Sequence, residues 1–195
     1  MLQKIVNFYE SKKASILPAV KKTWGVSQAY ELKHAIGFMQ EPHFGALFKD
    51  HISGKLNVST GYKDTIILNE FFAGENQDVE WKKFLEHISG KICVDIGPCV
   101  YSPLATWDVA GKRIAIEPLF EPIDRWQKQH LGRSVFENLT CYSTGADEFI
   151  PELFNKIDGA IYCRNMLDHT PNWAFVLSNI ASYAIPGCKL LLWND

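Results

Sequence analysis

The sequence lacks a long apolar run, an excess of charge of one sign and a secretory leader. No apolar run approaches the roughly 20 residues that a membrane-spanning helix needs, and residues 1–7 lack the apolar centre of a signal peptide. The formal net charge of -2 at pH 7 gives no overall basic surface for nucleic acid. We therefore expect a soluble, cytoplasmic protein with neither nucleic acid nor a membrane as its partner.

Metal-binding spacings are also missing. No two of the five cysteines lie two or four positions apart, and the histidines of the N-terminal half do not pair with cysteine or carboxylate at a spacing typical of metal ligands. No metal site is therefore predicted, and the cysteines are interpreted as reduced and mostly buried. They are Cys93, Cys99, Cys141, Cys163 and Cys188.

The length of 195 residues and the hydrophobic content of 47% suit one full domain with an accessory segment. Residues 1–77 are predicted to form a helical extension or lid, with helices over residues 2–22 and from a cap at Ser27 to a stop at Pro42. Residues 63–72 fit a helix or a strand equally well. Asp78 is predicted to cap a helix that leads into an α/β core, residues 78–195.

The stretch from Lys91 to Gly97 is the predicted centre of that core. It has the pattern of a short, buried, parallel strand that ends in the carboxylate of Asp95 and then in a glycine. Gly97 lets the backbone approach a ligand closely, and Asp95 suggests a ligand with positive charge or hydroxyl groups. A plain core strand that ends in a tight turn remains the alternative.

After Gly97, strands and helices alternate with short connections. This alternation predicts right-handed crossovers and a parallel sheet with helices on both faces, whose ligand lies at the carboxyl ends of the strands. The predicted strands cover residues 113–117, 139–143, 157–163 and 189–193, and the predicted helices cover residues 104–110, 120–131, 149–154 and 173–184.

Acidic residues stand at the ends of the first three strands of the core. Glu117 follows Asp95 by 22 positions (117 minus 95), close to the offset at which an acid reaches the ribose hydroxyls of a nucleoside. Asp147 follows the third strand, where Gly145 and Ala146 leave room for an adenine ring. Taken singly, these acids also fit turns and helix caps. Together they predict a nucleoside pocket, with residues 163–169 as its remaining wall.

The order of these motifs resembles that of the class I S-adenosylmethionine-dependent methyltransferases. The matching segments are Val94-Asp95-Ile96-Gly97, Ile116-Glu117-Pro118, Gly145-Ala146-Asp147, the segment from Tyr162 to His169, and the segment from Pro186 to Leu192. The resemblance implies a doubly wound, mainly parallel sheet of order 3-2-1-4-5 and S-adenosylmethionine as cofactor. It also implies cofactor-binding roles for Asp95, Gly97, Glu117, Ala146, Asp147, Cys163 and Arg164.

Two features depart from the family pattern. Pro98 and Cys99 stand where the family has further glycines; Pro98 has no backbone N–H, and Cys99 adds a side chain where close approach is expected. The antiparallel strands that the family adds after the fifth strand are also missing before Asp195. We expect either that the chain is a fragment or that the N-terminal helices and a partner cover the sheet edge, as in a homodimer.

The sequence thus predicts methyl transfer from S-adenosylmethionine to an oxygen, nitrogen or carbon of a small molecule or glycan. His169, past the fourth strand, is the candidate base for a hydroxyl acceptor, although it fits a wall position equally well. The competing hypothesis is a non-catalytic, degenerate relative that serves as a binding or scaffold protein, which Pro98 and Cys99 favour. An NAD-dependent oxidoreductase fits Glu117 but fits neither the acid at Asp95 nor the absence of a GxGxxG run.

Overall fold

The computed structural model describes residues 27–170 and 172–194, which form one parallel sheet with packed helices. The predicted helix over residues 2–22 lies outside this range. The sheet has the order β3-β2-β1-β4-β5, and all four neighbouring pairs are parallel. The predicted order is therefore confirmed. The strands are β1 Ile92–Ile96, β2 Lys112–Ile116, β3 Thr140–Tyr142, β4 Ala160–Arg164 and β5 Lys189–Trp193.

The two faces of the sheet are buried by different helices, as side-chain alternation along a strand requires. On one face, Cys93 of β1 and Tyr162 of β4 pack in a cluster that includes Trp81 and Trp107. On the other face, the strand residues pack against helix α6, Trp173–Tyr183. Helices cover both faces, which makes the sheet doubly wound.

Two of the remaining helices begin at a local start signal. The remaining helices are α1 over residues 27–39, α2 Pro42–Ile52, α3 Thr65–Phe71, α4 Gln77–Ile88 and α5 Phe120–Leu131. Pro42 occupies the first turn of α2, where a missing N–H is tolerated, so it starts a helix as well as separating two. The Asp64 side chain accepts hydrogen bonds from the N–H groups of Ile66 and Ile67, so the ambiguous segment is a capped helix.

The predicted cap at Asp78 was wrong. The N-cap of α4 is Asn76, which makes no side-chain cap hydrogen bond among the described residues, and Asp78 lies in the first turn.

Two predicted helices are only single 3₁₀ turns. Residues 104–110 contain only the end of the 3₁₀ turn Pro103–Ala105. No α-helix continues from it, because the carbonyl oxygens that would continue a helix accept other hydrogen bonds. The Arg113 guanidinium donates to the carbonyls of Leu104 and Ala105, and the Thr106 hydroxyl donates to that of Pro103. Residues 149–154 contain the turn Pro151–Leu153.

Helices α1 and α2 pack against the sheet domain through an apolar cluster. Ala35 and Met39 of α1 and Phe44 and Phe48 of α2 are buried with Ile123 of α5 and neighbouring residues. The described part of the predicted extension therefore shares a core with the α/β unit, which fixes α1 above one end of the sheet. Where the domain boundary falls stays a prediction.

Strand β5 lies at one edge of the sheet and has exposed apolar side chains. Leu190 is 52% exposed, and Leu192 and Trp193 are 37% exposed. Pairing of two copies through this edge stays a prediction. Among residues 27–170 and 172–194, no helix is both long enough and apolar enough to cross a membrane.

Candidate functional site

A cavity of about 420 Å³ lies at the carboxyl ends of the central strands, and we call it the main cavity. Its floor comes from the loops after β1, β2, β3 and β4, and helix α1 forms its opposite wall. Its volume falls in the range of small-molecule sites, roughly 300–1,000 Å³. The lining residues are Glu31, His34, Ala35, Phe38, Gly97, Cys99, Val100, Ile116, Glu117, Pro118, Leu119, Gly145, Ala146, Asn165, Met166, His169 and Thr170.

Glu117 connects the end of β2 to the loop after β1. One carboxylate oxygen accepts the N–H of Cys99 at 2.9 Å, and the other accepts the N–H of Leu119 at 2.8 Å. The residue is 5% exposed, and burial raises the pKa of its carboxyl while the two N–H donors oppose that shift. Each oxygen retains a second lone pair, so the carboxylate can still accept hydrogen bonds from hydroxyl groups in the cavity.

The loop after β1 leaves no room for a side chain at Gly97. This glycine has a φ of +75°, and a Cβ built there would lie 2.4 Å from Cγ of Met166. Cys99 also lies in the left-handed region, with a φ of +53°. Cysteine rarely adopts this conformation, so the loop carries backbone strain at the edge of the cavity.

Asp95 lies in β1 beneath this loop and does not line the main cavity. It is 1% exposed, and the Ser102 hydroxyl donates to it at 2.5 Å. Burial raises the pKa of Asp95 to about 8, and the nearby Glu117 carboxylate adds to the shift. Burial thus favours the neutral carboxyl, which can donate a hydrogen bond as well as accept one.

The loop after β3 contributes backbone and small side chains. Gly145 and Ala146 line the main cavity, and the Ala146 carbonyl accepts a hydrogen bond from Asn179 of α6 at 2.9 Å. Asp147 is half-buried beside this loop and lies outside the cavity lining; one of its oxygens would be 2.6 Å from a Cβ at Gly145. The predicted contact of Asp147 with adenine stays a prediction.

Residues at the end of β4 and just after it lie in three places: the sheet core, the main cavity and a neighbouring cavity. Cys163 is fully buried between the strands and α6, beneath the cavity floor. Arg164 forms an ion pair with Glu70 of α3 at 2.8 Å and faces a neighbouring cavity. Asn165 and Met166, which belong to the predicted wall over residues 163–169 but were given no role of their own, line the main cavity.

Helix α1 contributes a wall that the sequence reasoning described only as a lid. Glu31, His34 and Phe38 line the cavity, and Glu31 lies 3.5 Å from the His169 ring nitrogen Nδ1. The only sequence signal for these residues was their position in an amphipathic helix, which does not reveal what the helix faces. His169, the candidate base, is at the cavity rim with 58% of its side chain exposed.

A second cavity of about 500 Å³ adjoins the first, and we call it the second cavity. The two cavities share Gly97, Cys99 and Asn165. Asp95 and Arg164 belong to the second cavity, so the predicted site residues are distributed over two connected spaces. The other lining residues are Leu47, Tyr62, Asp64, Thr65, Ile66, Pro98, Tyr101, Pro103 and Tyr162. Within residues 27–170 and 172–194, no cluster of three or more metal-ligating side chains occurs.

Comparisons with known proteins find likeness only among solved structures. No family model matches the sequence, and no curated protein matches it. The YcgJ protein from Bacillus subtilis is 17% identical with a TM-score of 0.43, over 54% of this chain and 44% of that one. A SAM dependent methyltransferase from Aquifex aeolicus is 16% identical with a TM-score of 0.41, over 64% of this chain and 69% of that one.

Magnesium protoporphyrin IX methyltransferase from Synechocystis PCC 6803, solved with bound SAM, is 16% identical with a TM-score of 0.40, over 56% of this chain and 52% of that one. This chain thus spans less than half of the YcgJ structure and about half of the Synechocystis enzyme. Likeness at this level says nothing about a shared substrate. The strand order and parallel register of the chain itself are those of the Rossmann-like fold of class I S-adenosylmethionine-dependent methyltransferases, the family that its sequence resembles.

Proposed function

We propose that the chain binds S-adenosylmethionine in the main cavity and transfers its methyl group to a small molecule or glycan. The supporting observation is that the tips of three consecutive strands contribute Gly97, Glu117 and the Gly145-Ala146 pair to one cavity. In an open α/β sheet, ligands bind at this edge, where the strand order reverses. In this sheet the reversal lies between β1 and β4, which flank the cavity floor.

The residues present fit the adenosyl group. The Glu117 carboxylate is buried and fixed by two backbone donors, so it is positioned to accept from both ribose hydroxyls. The small residues Gly145 and Ala146, with Asp147 beside them, form the proposed adenine side. Gly97 forms the proposed methionine side with Asp95 beneath its loop, and Cys163 and Arg164 support the fourth wall from behind its lining. The cofactor supplies an activated methyl group, so the chain must align donor and acceptor and exclude water.

Direct binding tests this proposal, and Glu117 offers a specific variant. Glu117→Gln is expected to raise the dissociation constant for S-adenosylmethionine about tenfold, because a charge-assisted acceptor for the ribose is worth roughly 1.5–3 kcal/mol. Isothermal titration calorimetry measures the constant. Glu121→Gln is the matched control, since Glu121 is exposed on α5. Failure of both S-adenosylmethionine and S-adenosylhomocysteine to bind the unaltered chain at millimolar concentration would overturn the proposal.

For a hydroxyl acceptor, we propose His169 as the base. Its ring lies at the rim of the main cavity, and its Nδ1 lies 3.5 Å from a carboxylate oxygen of Glu31. His169→Gln is expected to slow transfer of radiolabelled methyl groups to hydroxyl acceptors about 100-fold. The affinity for S-adenosylmethionine should stay within about twofold. An unchanged transfer rate would show that His169 lines the cavity wall and is not the base.

The strained Cys99 favours one competing function, a binding or scaffold protein without turnover. Its side chain stands at the junction of both cavities, where the family pattern has glycine. Binding of S-adenosylmethionine with no methyl transfer to any compound in a metabolite extract would support this alternative.

A further inference from the structure

The second cavity meets the main cavity at one place. Gly97, Cys99 and Asn165 line both spaces, so a ligand in either space reaches the same short stretch of wall. Methyl transfer needs the donor sulfur, the methyl carbon and the acceptor atom in one line, with the reacting atoms about 3–3.5 Å apart. Two adjoining cavities that share lining residues can hold a donor and an acceptor side by side.

The walls of the second cavity are aromatic. Three tyrosines, Tyr62, Tyr101 and Tyr162, line it together with the apolar side chains of Leu47 and Ile66. Tyrosine rings attract organic cations through their π faces. The Tyr101 hydroxyl is buried and has no hydrogen-bond partner within the described part of the chain, so it remains available to a ligand.

The second cavity holds the carboxyl of Asp64 as well as the guanidinium of Arg164. Arg164 is the cation of the lining, and Glu70 already binds it through two hydrogen bonds from its Nε and an ion pair from Nη2. Arg164 thus makes its ion pair with Glu70, and Asp64 feels its charge only from a greater distance. Only one oxygen of Asp64 accepts the two N–H groups that it caps in α3. Burial raises the pKa of Asp64 even though Arg164 and the two N–H donors oppose that shift, so a bound cation would offset the cost of burying its carboxylate.

We propose that the second cavity is the acceptor site of the methyl transfer and that it takes a small aliphatic amine, bound as its ammonium ion. This inference rests on the proposed function of the main cavity. The ammonium ion first gives one proton to the Asp64 carboxylate, which exposes the nitrogen lone pair. That pair forms a bond to the methyl carbon while the carbon–sulfur bond breaks and its electrons stay on sulfur. The methylated ammonium product leaves, and Asp64 returns its proton to water.

The test uses choline, a permanent cation, and its uncharged isostere 3,3-dimethylbutan-1-ol as probes. Titration calorimetry on the full chain, with and without saturating S-adenosylhomocysteine, is expected to show at least about tenfold tighter binding of choline. Asp64→Asn should reduce choline affinity about tenfold and leave S-adenosylhomocysteine affinity within twofold. Asparagine still caps α3, so the fold is retained. Asp78→Asn, which removes a charge from an exposed residue, should change neither affinity.

The aromatic wall has its own pair of variants. Tyr62→Phe keeps the ring and should retain choline binding, whereas Tyr62→Leu should reduce it about fivefold. Equal binding of the two probes, or no binding of either, would overturn the proposal. The proposal would also be overturned if Asp64→Asn lost binding of S-adenosylhomocysteine but kept binding of 5′-methylthioadenosine. The second cavity would then hold the amino-acid end of the donor. If S-adenosylhomocysteine does not bind but choline still binds more tightly than its isostere, only the assignment of the main cavity to the methyl donor is overturned.

Discussion

Gly97→Ala is expected to abolish measurable binding of S-adenosylmethionine and to destabilise the fold by about 1–3 kcal/mol. The added Cβ would lie 2.4 Å from Cγ and 3.0 Å from Cβ of Met166, and neither atom is at the free end of that side chain. The loop after β1 or the segment after β4 must therefore move. Both line the main cavity, so the shift closes the place where donor and acceptor meet. Calorimetric titration and thermal unfolding measure the two effects.

Gly132→Ala is the control that separates backbone strain from collision. Gly132 has a φ of +80°, and a Cβ built there meets nothing within 4 Å. This variant should lose about 1 kcal/mol of stability from the left-handed backbone alone and bind S-adenosylmethionine normally. Equal effects of the two variants on binding would show that the contact with Met166 is not the cause.

Asp95→Asn is expected to stabilise the fold by a few kcal/mol at pH 8 and by much less near pH 4. In the unfolded chain this carboxyl ionises near its usual pKa of 3.8, whereas burial raises the pKa to about 8 in the folded chain. Between these values the folded state binds more protons, so the stability of the unaltered protein falls as the pH rises. Each pKa unit is worth about 1.4 kcal/mol.

Chemical denaturation at a series of pH values checks this prediction. The difference in unfolding free energy between Asp95→Asn and the unaltered chain should grow from about pH 4 to about pH 8 and then level off. Asp50→Asn, at a position that pairs with Lys55 on the surface, should show no such trend. A constant difference across the series would mean that Asp95 is ionised in the folded protein. Weaker binding of S-adenosylmethionine by Asp95→Asn would accompany the gain in stability if the buried acid serves the site.

The sheet could be predicted from the sequence because its signals are local. Strands β1, β2, β4 and β5 are short apolar runs, and the helices between them imply parallel pairing. The rule that ligands bind at the carboxyl ends of such strands then selects Glu117 and Ala146 directly. The predicted helix over residues 104–110 was wrong in extent, because Arg113 competes for its carbonyl oxygens from eight and nine positions away.

The second cavity could not be predicted in this way. Its residues come from α2, from the segment around α3, from the loop after β1 and from β4, which meet only after the chain has folded. Tyr62 and Asp64 precede a short helix whose orientation depends on packing against the sheet. Likewise, no local pattern indicates that Glu70 neutralises Arg164, which is 94 positions away.

Helix α1 faces two environments, and this has a thermodynamic consequence for any ligand. Met39 anchors it in the core beside α5, Glu31 and His34 face the main cavity, and Ala35 borders both. Occupancy of the cavity and docking of the helix are therefore linked equilibria, and each stabilises the other by the same free energy. Were the helix docked in only a tenth of the molecules, the apparent affinity would be about a tenth of its intrinsic value. Substitutions at Met39, which does not line the cavity, are therefore expected to weaken ligand binding by weakening the docking of the helix.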